Sequence, residues 1–439
     1  MAVTLDGHQS RAVSMVFSGM NVAVVGPAGC GKSETLKAVV RRGKDKWGEK
    51  GVVVLAWSGS AANLVEGRTL ASFLTVTVGD PSKESILKRL LEPRNRVIWS
   101  GILAVRLIVI DEAPTIEGRW FDRLEYVFRM AASVFNQCLP FGGRAVFAAG
   151  DPLQLAAYGV TDTSVEVSAC ATRSWADTFS YSYGESVRLA GQHRQGSSDG
   201  LRGILDRMRF GKTTDADIAT LNSTWGSQAE ETWMDFTHLR ARNIDAAAHN
   251  ARMLDSLPAE RFVFKCADTI KVVHPEQVKD ARAKLEKLAA TSVTLCQGAT
   301  VVLTRTLSAD LVAGSHGKVL AVNPGVSVLV SFFGRLTPVT VEVQSFCIKD
   351  ALERTLAERR QIPLLLAWAI TVSRAQGMTV QRVAIDFSCT SWTLDCLSYS
   401  AISRAVSLDC LRVKGLRREH IRTCASGLRY YRDMEEEEG

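Results

Sequence analysis

Four short, nearly continuous apolar runs recur in the first third of the chain, at residues 21–25, 52–57, 107–110 and 145–149, with helix-like apolar spacing between them. Runs that are apolar on both faces and alternate with helices predict parallel strands covered on both sides. In such a sheet the chemistry belongs in the loops at the carboxyl ends of the strands. Three further runs, 234–239, 383–387 and 411–413, again alternate with helical patterns and predict a second α/β domain on the same plan. Between its halves the pattern changes. From about 300 to 344, β-branched stretches at 301–304, 318–322, 326–333 and 339–343 are broken by glycine and proline, which predicts a small antiparallel β-barrel inserted in the second domain. A charged amphipathic helix over 275–290 leads into it, and the acidic run 435–438 reads as a solvated tail. The fold class expected is α/β, with two parallel-sheet domains in tandem.

A chain of 439 residues is long enough for two or three domains, each with its own core. The 53 Lys+Arg against 46 Asp+Glu leave a net charge of +7, which suits a polyanion partner without requiring one. Ten cysteines are scattered with no C-x-x-C pair and no Cys/His cluster at zinc-ligand spacing, so free thiols in a reducing compartment are expected. The apolar run 364–370 is far short of the ~20 residues that span a bilayer, and residues 1–18 lack a signal-peptide core. A soluble, intracellular protein with no membrane partner is the expectation.

Gly26, Pro27, Ala28, Gly29, Cys30, Gly31, Lys32 and Ser33 fit G-x-x-x-x-G-K-S/T in full, after an apolar run and before a helical pattern that opens on Glu34. Glycines let backbone N–H groups close around phosphate oxygens, and the following helix points its positive end at them. Lys32 adds a mobile cation and Ser33 a hydroxyl for Mg²⁺. Binding and hydrolysis of a nucleoside triphosphate with Mg²⁺ is the chemistry expected.

Asp111 and Glu112 end the run 107–110, where a metal-binding carboxylate and a water-activating base must sit to face the phosphates. Gly150-Asp151-Pro152-Leu153-Gln154-Leu155 follows the fourth run and places Gln154 where an amide can sense a γ-phosphate. In the second half, Arg194 and Arg404 lie beside helical patterns with few acidic neighbours. An engine that couples hydrolysis to motion needs such guanidinium groups, because they stabilise transition-state charge only when a cleft closes.

In this order the motifs resemble the superfamily 1B helicases, and most closely the petite-integration-frequency (Pif-type) DNA helicases. The resemblance runs over nearly the whole chain, through Gln9, the stretch 54–62, Arg68 to Phe73, Ile110-Asp111-Glu112, Phe121 to Glu125, Pro140-Phe141-Gly142-Gly143, Ser174-Trp175, Gln361 to Leu364, Leu366 to Ile370, Gln376-Gly377 and Ser403-Arg404-Ala405. It implies two RecA-like domains, with domain 1A over 1–185 and a small wedge subdomain 1B inserted at about 70–104. Domain 2A would comprise 186–265 and 359–439, with the inserted β-barrel domain 2B at 266–358. It also implies Gln9 on adenine, Lys32 and Ser33 on phosphate and Mg²⁺, Asp111 on Mg²⁺ and Glu112 as base. Gln154, Arg194, Gln376 and Arg404 become γ-phosphate sensors and fingers, with Gly377 beside Gln376.

The chain departs from the family pattern at Trp57-Ser58, at Ala71, at Ala156 and Ala157, and at Ser373 before Arg374. All of these fall in segments that face nucleic acid in the family, while the nucleotide-facing positions are retained. Trp57, Ser58, Phe73, Ser373 and Arg374 are the candidates for a nucleic-acid track. The function implied is a 5′-to-3′ helicase that moves on single-stranded DNA and opens forked or tailed duplex, working as a monomer, in nucleus or mitochondrion if the source is eukaryotic. An RNA helicase of viral type and an ATP-binding single-strand clamp without unwinding are the alternatives. A phosphate-loop kinase would not need a second α/β domain.

Overall fold

The computed structural model describes residues 5–57, 61–62, 65–76, 81–155, 168–179, 182–191, 200–226, 236–273, 275–308, 311, 314–349, 355–378, 380–389 and 391–438. The chain divides into two compact units, Met1–Ala229 with Val372–Gly439, and Glu230–Thr371.

The first unit is built on a six-stranded sheet whose strands are all parallel. Its strands are β1 (Asn21–Val25), β2 (Val52–Ala56), β3 (Arg68–Thr69), β4 (Leu107–Asp111), β5 (Ala145–Gly150) and β6 (Gly184–Arg188), in the order β3-β2-β4-β5-β1-β6. The four apolar runs are its four inner strands, as the two-faced pattern requires. Alternate residues serve opposite faces: Val22 and Val24 of β1 pack with helices α1 (Gly7–Phe17) and α2 (Lys32–Trp47), through Ala12, Val16, Leu36 and Val39. Ala23, with Val53, Leu55, Ile108, Ile110, Val146 and Ala148, meets the helix Gly118–Met130 through Phe121, Leu124 and Phe128. Truncating one of these buried phenylalanines to alanine costs about 3–5 kcal/mol. The segment expected as a wedge carries the helices Leu70–Phe73, Lys83–Leu90 and Arg96–Ala104, and its Leu70, Leu74, Ile86, Leu90 and Ile102 belong to this same core. β6 was not among the predicted runs, because Glu185, Ser186 and Arg188 break its apolar pattern at the sheet edge.

Also in this unit lie the parallel pair Val383–Asp386 and Leu411–Lys414, which match two runs of the second set. The helices Leu201–Arg209, Asp215–Ser223, Leu397–Ile402 and Ala425–Glu438 belong to it as well. The acidic run 435–438 is therefore the last turn of a helix rather than a free tail, and Glu435 pairs with Arg188 at 3.0 Å.

The second unit contains the parallel pair Thr237–Arg240 and Ala369–Thr371, with the helix Asn243–Ser256. The rest is antiparallel: a five-stranded sheet of Thr300–Leu303, His316–Asn323, Ser327–Phe332, Val339–Glu342 and Leu364–Leu366, a three-stranded sheet and a two-stranded one. Phe264, Val293 and Leu295 of the two-stranded sheet share one core with Val301, Val319, Val330, Phe332 and Leu364, so the sheets close around common apolar contents. The helix Pro275–Leu288 covers the three-stranded sheet through Ala281 and Leu285 against Ala357.

Two histidines of this unit carry a pH dependence. Burial, with the Arg240 and Arg252 cations beside it, lowers the pKa of His249 to about 4, and Arg240 donates to its Nδ1 at 3.1 Å. Burial alone lowers His316 to about 4. Both sit below the ~6.5 of an unfolded chain, so the unfolded state binds more protons across that window and stability falls as pH drops from about 6.5 towards 4. His316→Leu shifts the acid midpoint of this unit, followed by fluorescence of its buried Trp368, to lower pH; an unmoved midpoint would contradict the assignment.

Among the described residues no helix is long and apolar enough to cross a membrane. All ten cysteines are free thiols.

Candidate nucleotide site

β1, an inner strand next to the edge strand β6, ends at Val25, and the next eight residues turn back into α2. The turn needs glycine at Gly31, whose φ of +88° starts the helix from the left-handed region. Gly26 is needed for space, since a Cβ there would stand 2.6 Å from the Leu189 carbonyl oxygen. Around this loop the half-buried Lys32 donates from Nζ to the carbonyl oxygens of Gly26 (2.7 Å) and Pro27 (2.8 Å). Its ammonium thus lies over the loop that would hold phosphate, on acceptors that a charged oxygen can replace. Ser33 is exposed on the first turn of α2, and Glu34 behind it pairs with Lys37 at 2.8 Å.

Gln9 touches the same loop. It is buried, its Nε2 donates to the Gly31 carbonyl at 3.4 Å, and its Oε1 accepts from the Asp6 backbone N–H at 2.8 Å in a capping box that starts α1.

β4 lies two strands from β1, about 10 Å across the sheet, and brings Asp111 to the same edge. Part of Asp111 remains accessible, but its carboxyl is set deep enough that burial raises its pKa to about 7; the Glu112 charge adds to this, and the Lys32 cation opposes it. A hydroxyl at Ser33 and a carboxylate held in this state form a hard-oxygen donor set that fits Mg²⁺, whose charge would return Asp111 to its ionised form. Glu112 adopts φ +49°, ψ 40°, a left-handed conformation that costs a non-glycine residue roughly 1–2 kcal/mol. Thr115 holds it there by donating to the Glu112 carbonyl from both its N–H (2.9 Å) and its hydroxyl (2.7 Å).

Two second-half residues reach this edge. Gln376 donates from Nε2 to Glu112 Oε2 at 3.5 Å, and the neighbouring Gly377 supplies a positive φ of +77°. Arg404 is buried; its guanidinium donates to the Ser400 carbonyl (3.0 Å), the Met378 carbonyl (3.4 Å) and Ser403 Oγ (3.0 Å). Burial lowers its pKa while the Glu112 charge acts in the opposite sense. Among the described residues it has no carboxylate within ion-pair distance.

Gln154 is buried in the turn that follows β5, and its Nε2 donates to Asp151 Oδ2 at 3.3 Å. Arg194 and Ser58 lie outside the described residues. Of the other nucleic-acid candidates, Ser373 and Arg374 are exposed on the short helix Val372–Ala375, and Trp57 is half-buried, edge-on to Trp120 at 5.8 Å. Phe73 does not fit its expected role: it is 6% exposed and stacked on Phe128 at 5.7 Å within the core, which leaves no face for a base.

Four residues that the sequence did not single out close the site. Tyr399 accepts from the Ala28 N–H at its hydroxyl (3.3 Å), and Ser400 Oγ accepts from the Leu155 N–H (2.8 Å), so the helix Leu397–Ile402, which ends just before Arg404, also holds the phosphate loop and the Gln154 turn. Their place one turn before Arg404 is the only signal that could have found them. Arg209 and Tyr431 bind Asp151 and have no sequence signature at all.

Residues 8–218 match the model of the family described as PIF1-like helicase. The chain is similar to the ATP-dependent DNA helicase PIF1 of Xenopus laevis, 30% identical over 440 residues that cover 99% of this chain and 65% of that protein. It spans 60–65% of the length of the first four curated relatives it matches. Its fold is similar to the crystal structure of Pif1 helicase from Candida albicans, with a TM-score of 0.85, 25% identity and coverage of 98% of this chain and 100% of that one. It is also similar to Pif1 helicase from Bacteroides in complex with ADP-AlF3 and ssDNA, with a TM-score of 0.69, 20% identity and coverage of 100% and 98%.

Proposed function

This chain belongs to the PIF1-like helicase family, and from that premise we propose that it is an ATP-dependent DNA helicase that moves 5′ to 3′ on single-stranded DNA and opens duplex ahead of it. The observation that carries the reading is the meeting of Lys32, Asp111, Glu112, Gln376 and Arg404 at one edge of the first sheet. A mere nucleotide-binding clamp would have no use for a carboxylate held in a strained conformation beside a second-half glutamine and a buried arginine.

Each residue has a role. The loop 26–33 and the α2 N-terminus cradle the ATP phosphates, and Lys32 exchanges its carbonyl partners for phosphate oxygens. Ser33 and Asp111 would hold Mg²⁺, which neutralises developing phosphate charge when bound. Glu112 orients and deprotonates the attacking water. Gln154 and Gln376 report the γ-phosphate, and Arg404, with Arg194, supplies positive charge to the transition state. Gln9 contacts adenine while it braces Gly31. The bound strand is gripped without sequence preference by phosphate contacts and base stacking, with Trp57, Ser58, Ser373 and Arg374 on its path. The two RecA-like domains comprise 1–185 and 186–265 with 359–439, the antiparallel insertion lies at 266–358, and one copy is sufficient for movement.

The test is strand displacement from duplexes that carry a 5′ or a 3′ single-stranded tail, in DNA and in RNA. The 5′-tailed DNA is opened and the 3′-tailed DNA is not. Opening of RNA-tailed substrates alone would move the protein to the RNA helicases.

A further inference from the structure

Asp151, directly after β5, has a carboxylate that accepts from every side. Arg209 donates to it in a fork, Nε to Oδ2 at 3.1 Å and Nη2 to Oδ1 at 2.8 Å. The Leu153 N–H donates to Oδ1 at 3.1 Å, the Tyr431 hydroxyl to Oδ1 at 3.2 Å and Gln154 Nε2 to Oδ2 at 3.3 Å. Arg209 and Asp151 are 2% and 0% exposed, and the Arg209 guanidinium also lies 4.4 Å from the centre of the Tyr431 ring.

A fork of this kind fixes the plane of the carboxylate as well as its place. With that plane fixed, one oxygen faces the Gln154 amide and the other faces Tyr431 on the helix Ala425–Glu438. Burial pushes the Tyr431 hydroxyl well above its usual range, so it stays a donor. Burial alone would also raise Asp151, but the Arg209 charge and hydrogen bonds hold it below its ordinary value, so it stays an acceptor.

Stability does not account for such a network. A buried ion pair contributes little over well-packed apolar residues once desolvation is counted. The apolar packing is in any case already present: Val25, Leu153, Tyr431 and Met434 form a core, with Phe210 and Leu428 against it. The polar contacts add direction. They run from an amide at the nucleotide site, through Asp151, to two elements from the far parts of the chain, Leu201–Arg209 and Ala425–Glu438. The same C-terminal helix is tied to β6 by Tyr430 hydroxyl to Ser186 Oγ at 2.7 Å.

We propose that Arg209 and Tyr431 are positioning residues for ATP hydrolysis, which set the orientation of the Gln154 amide through Asp151 and couple it to the C-terminal helix. This rests on the reading of Gln154 as a γ-phosphate sensor in an ATP-hydrolysing site. Arg209→Lys keeps the charge and loses the fork; Tyr431→Phe removes one hydroxyl and keeps the packing. Loss of orientation at this distance from the reacting atoms costs rate more than binding.

The experiment is steady-state ATP turnover with saturating single-stranded DNA, for Arg209→Lys and Tyr431→Phe, each alone and in a Gln154→Ala background, with thermal melting of every variant. The expected result is a fall in kcat of about tenfold for Arg209→Lys and a smaller fall for Tyr431→Phe, with KM for ATP changed by less than about twofold and no further fall in the Gln154→Ala background. Effects that add in full to Gln154→Ala, or that raise KM as much as they lower kcat, would overturn the positioning role. A Gln154→Ala variant that turns over ATP like the wild type would also overturn it, by removing the sensor it acts through. Failure of the functional reading looks different: the unmodified chain itself then hydrolyses no ATP.

Discussion

Lys32→Ala lowers ATP turnover by about 10²–10³-fold, while binding of single-stranded DNA changes by no more than a few fold. The magnitude is that of removing one preorganised positive donor from developing transition-state charge in a partly desolvated site. The geometry makes the substitution a clean one. Among the described residues Lys32 Nζ bonds to carbonyl oxygens of its own loop, Gly26 and Pro27, and to Cys30 Sγ at 3.8 Å, so its loss breaks no direct ion pair and removes only its longer-range charge from Asp111 and Asp151. The fold therefore survives and the melting temperature stays close to that of the unmodified chain. Turnover and DNA binding measured on the same preparation check this. A variant that still hydrolyses ATP at the wild-type rate would remove the phosphate loop from the mechanism.

Glu112→Gln lowers turnover by about 10²–10⁴-fold, the range of a general base lost from a positioned water, and leaves nucleotide binding intact. Shape is conserved, and Gln376 Nε2 still finds an oxygen acceptor. Electrostatics acts in favour of binding: burial and the Glu112 charge are what raise Asp111 to about 7, so neutralising Glu112 makes Asp111 easier to ionise as a metal-binding carboxylate. A tight, non-hydrolysing ATP complex is the expected phenotype, read by fluorescent-nucleotide binding beside single-turnover hydrolysis. Loss of binding in step with loss of turnover would show that Glu112 shapes the site rather than acting as the base.

The parts of this site that could be read in the sequence are those written in contiguous residues. The loop 26–33 is a local pattern with a local cause, and the Asp111-Glu112 pair closes a strand whose residues 107–110 are buried on both faces. The inner strands were legible because Val22, Ala23 and Val24 are apolar on both faces, whereas β6 was hidden by the polar residues an edge strand tolerates. Phe73 shows the limit of composition: an aromatic residue just after a strand can stack on a base or fill the core, and only the turn at Leu70–Phe73 sends it inward onto Phe128. The Arg209–Asp151 pair spans 58 positions and the Tyr431–Asp151 contact spans 280. Contacts so distant leave no pattern in a single chain, because each partner alone looks like an ordinary surface residue.

The most direct measurement of the central claim is ATP turnover titrated with single-stranded DNA, with Glu112→Gln as the blank. Turnover that rises severalfold to saturation with DNA, and is absent from the blank, is the result expected of a DNA-driven motor. Turnover that is present but indifferent to DNA would contradict it.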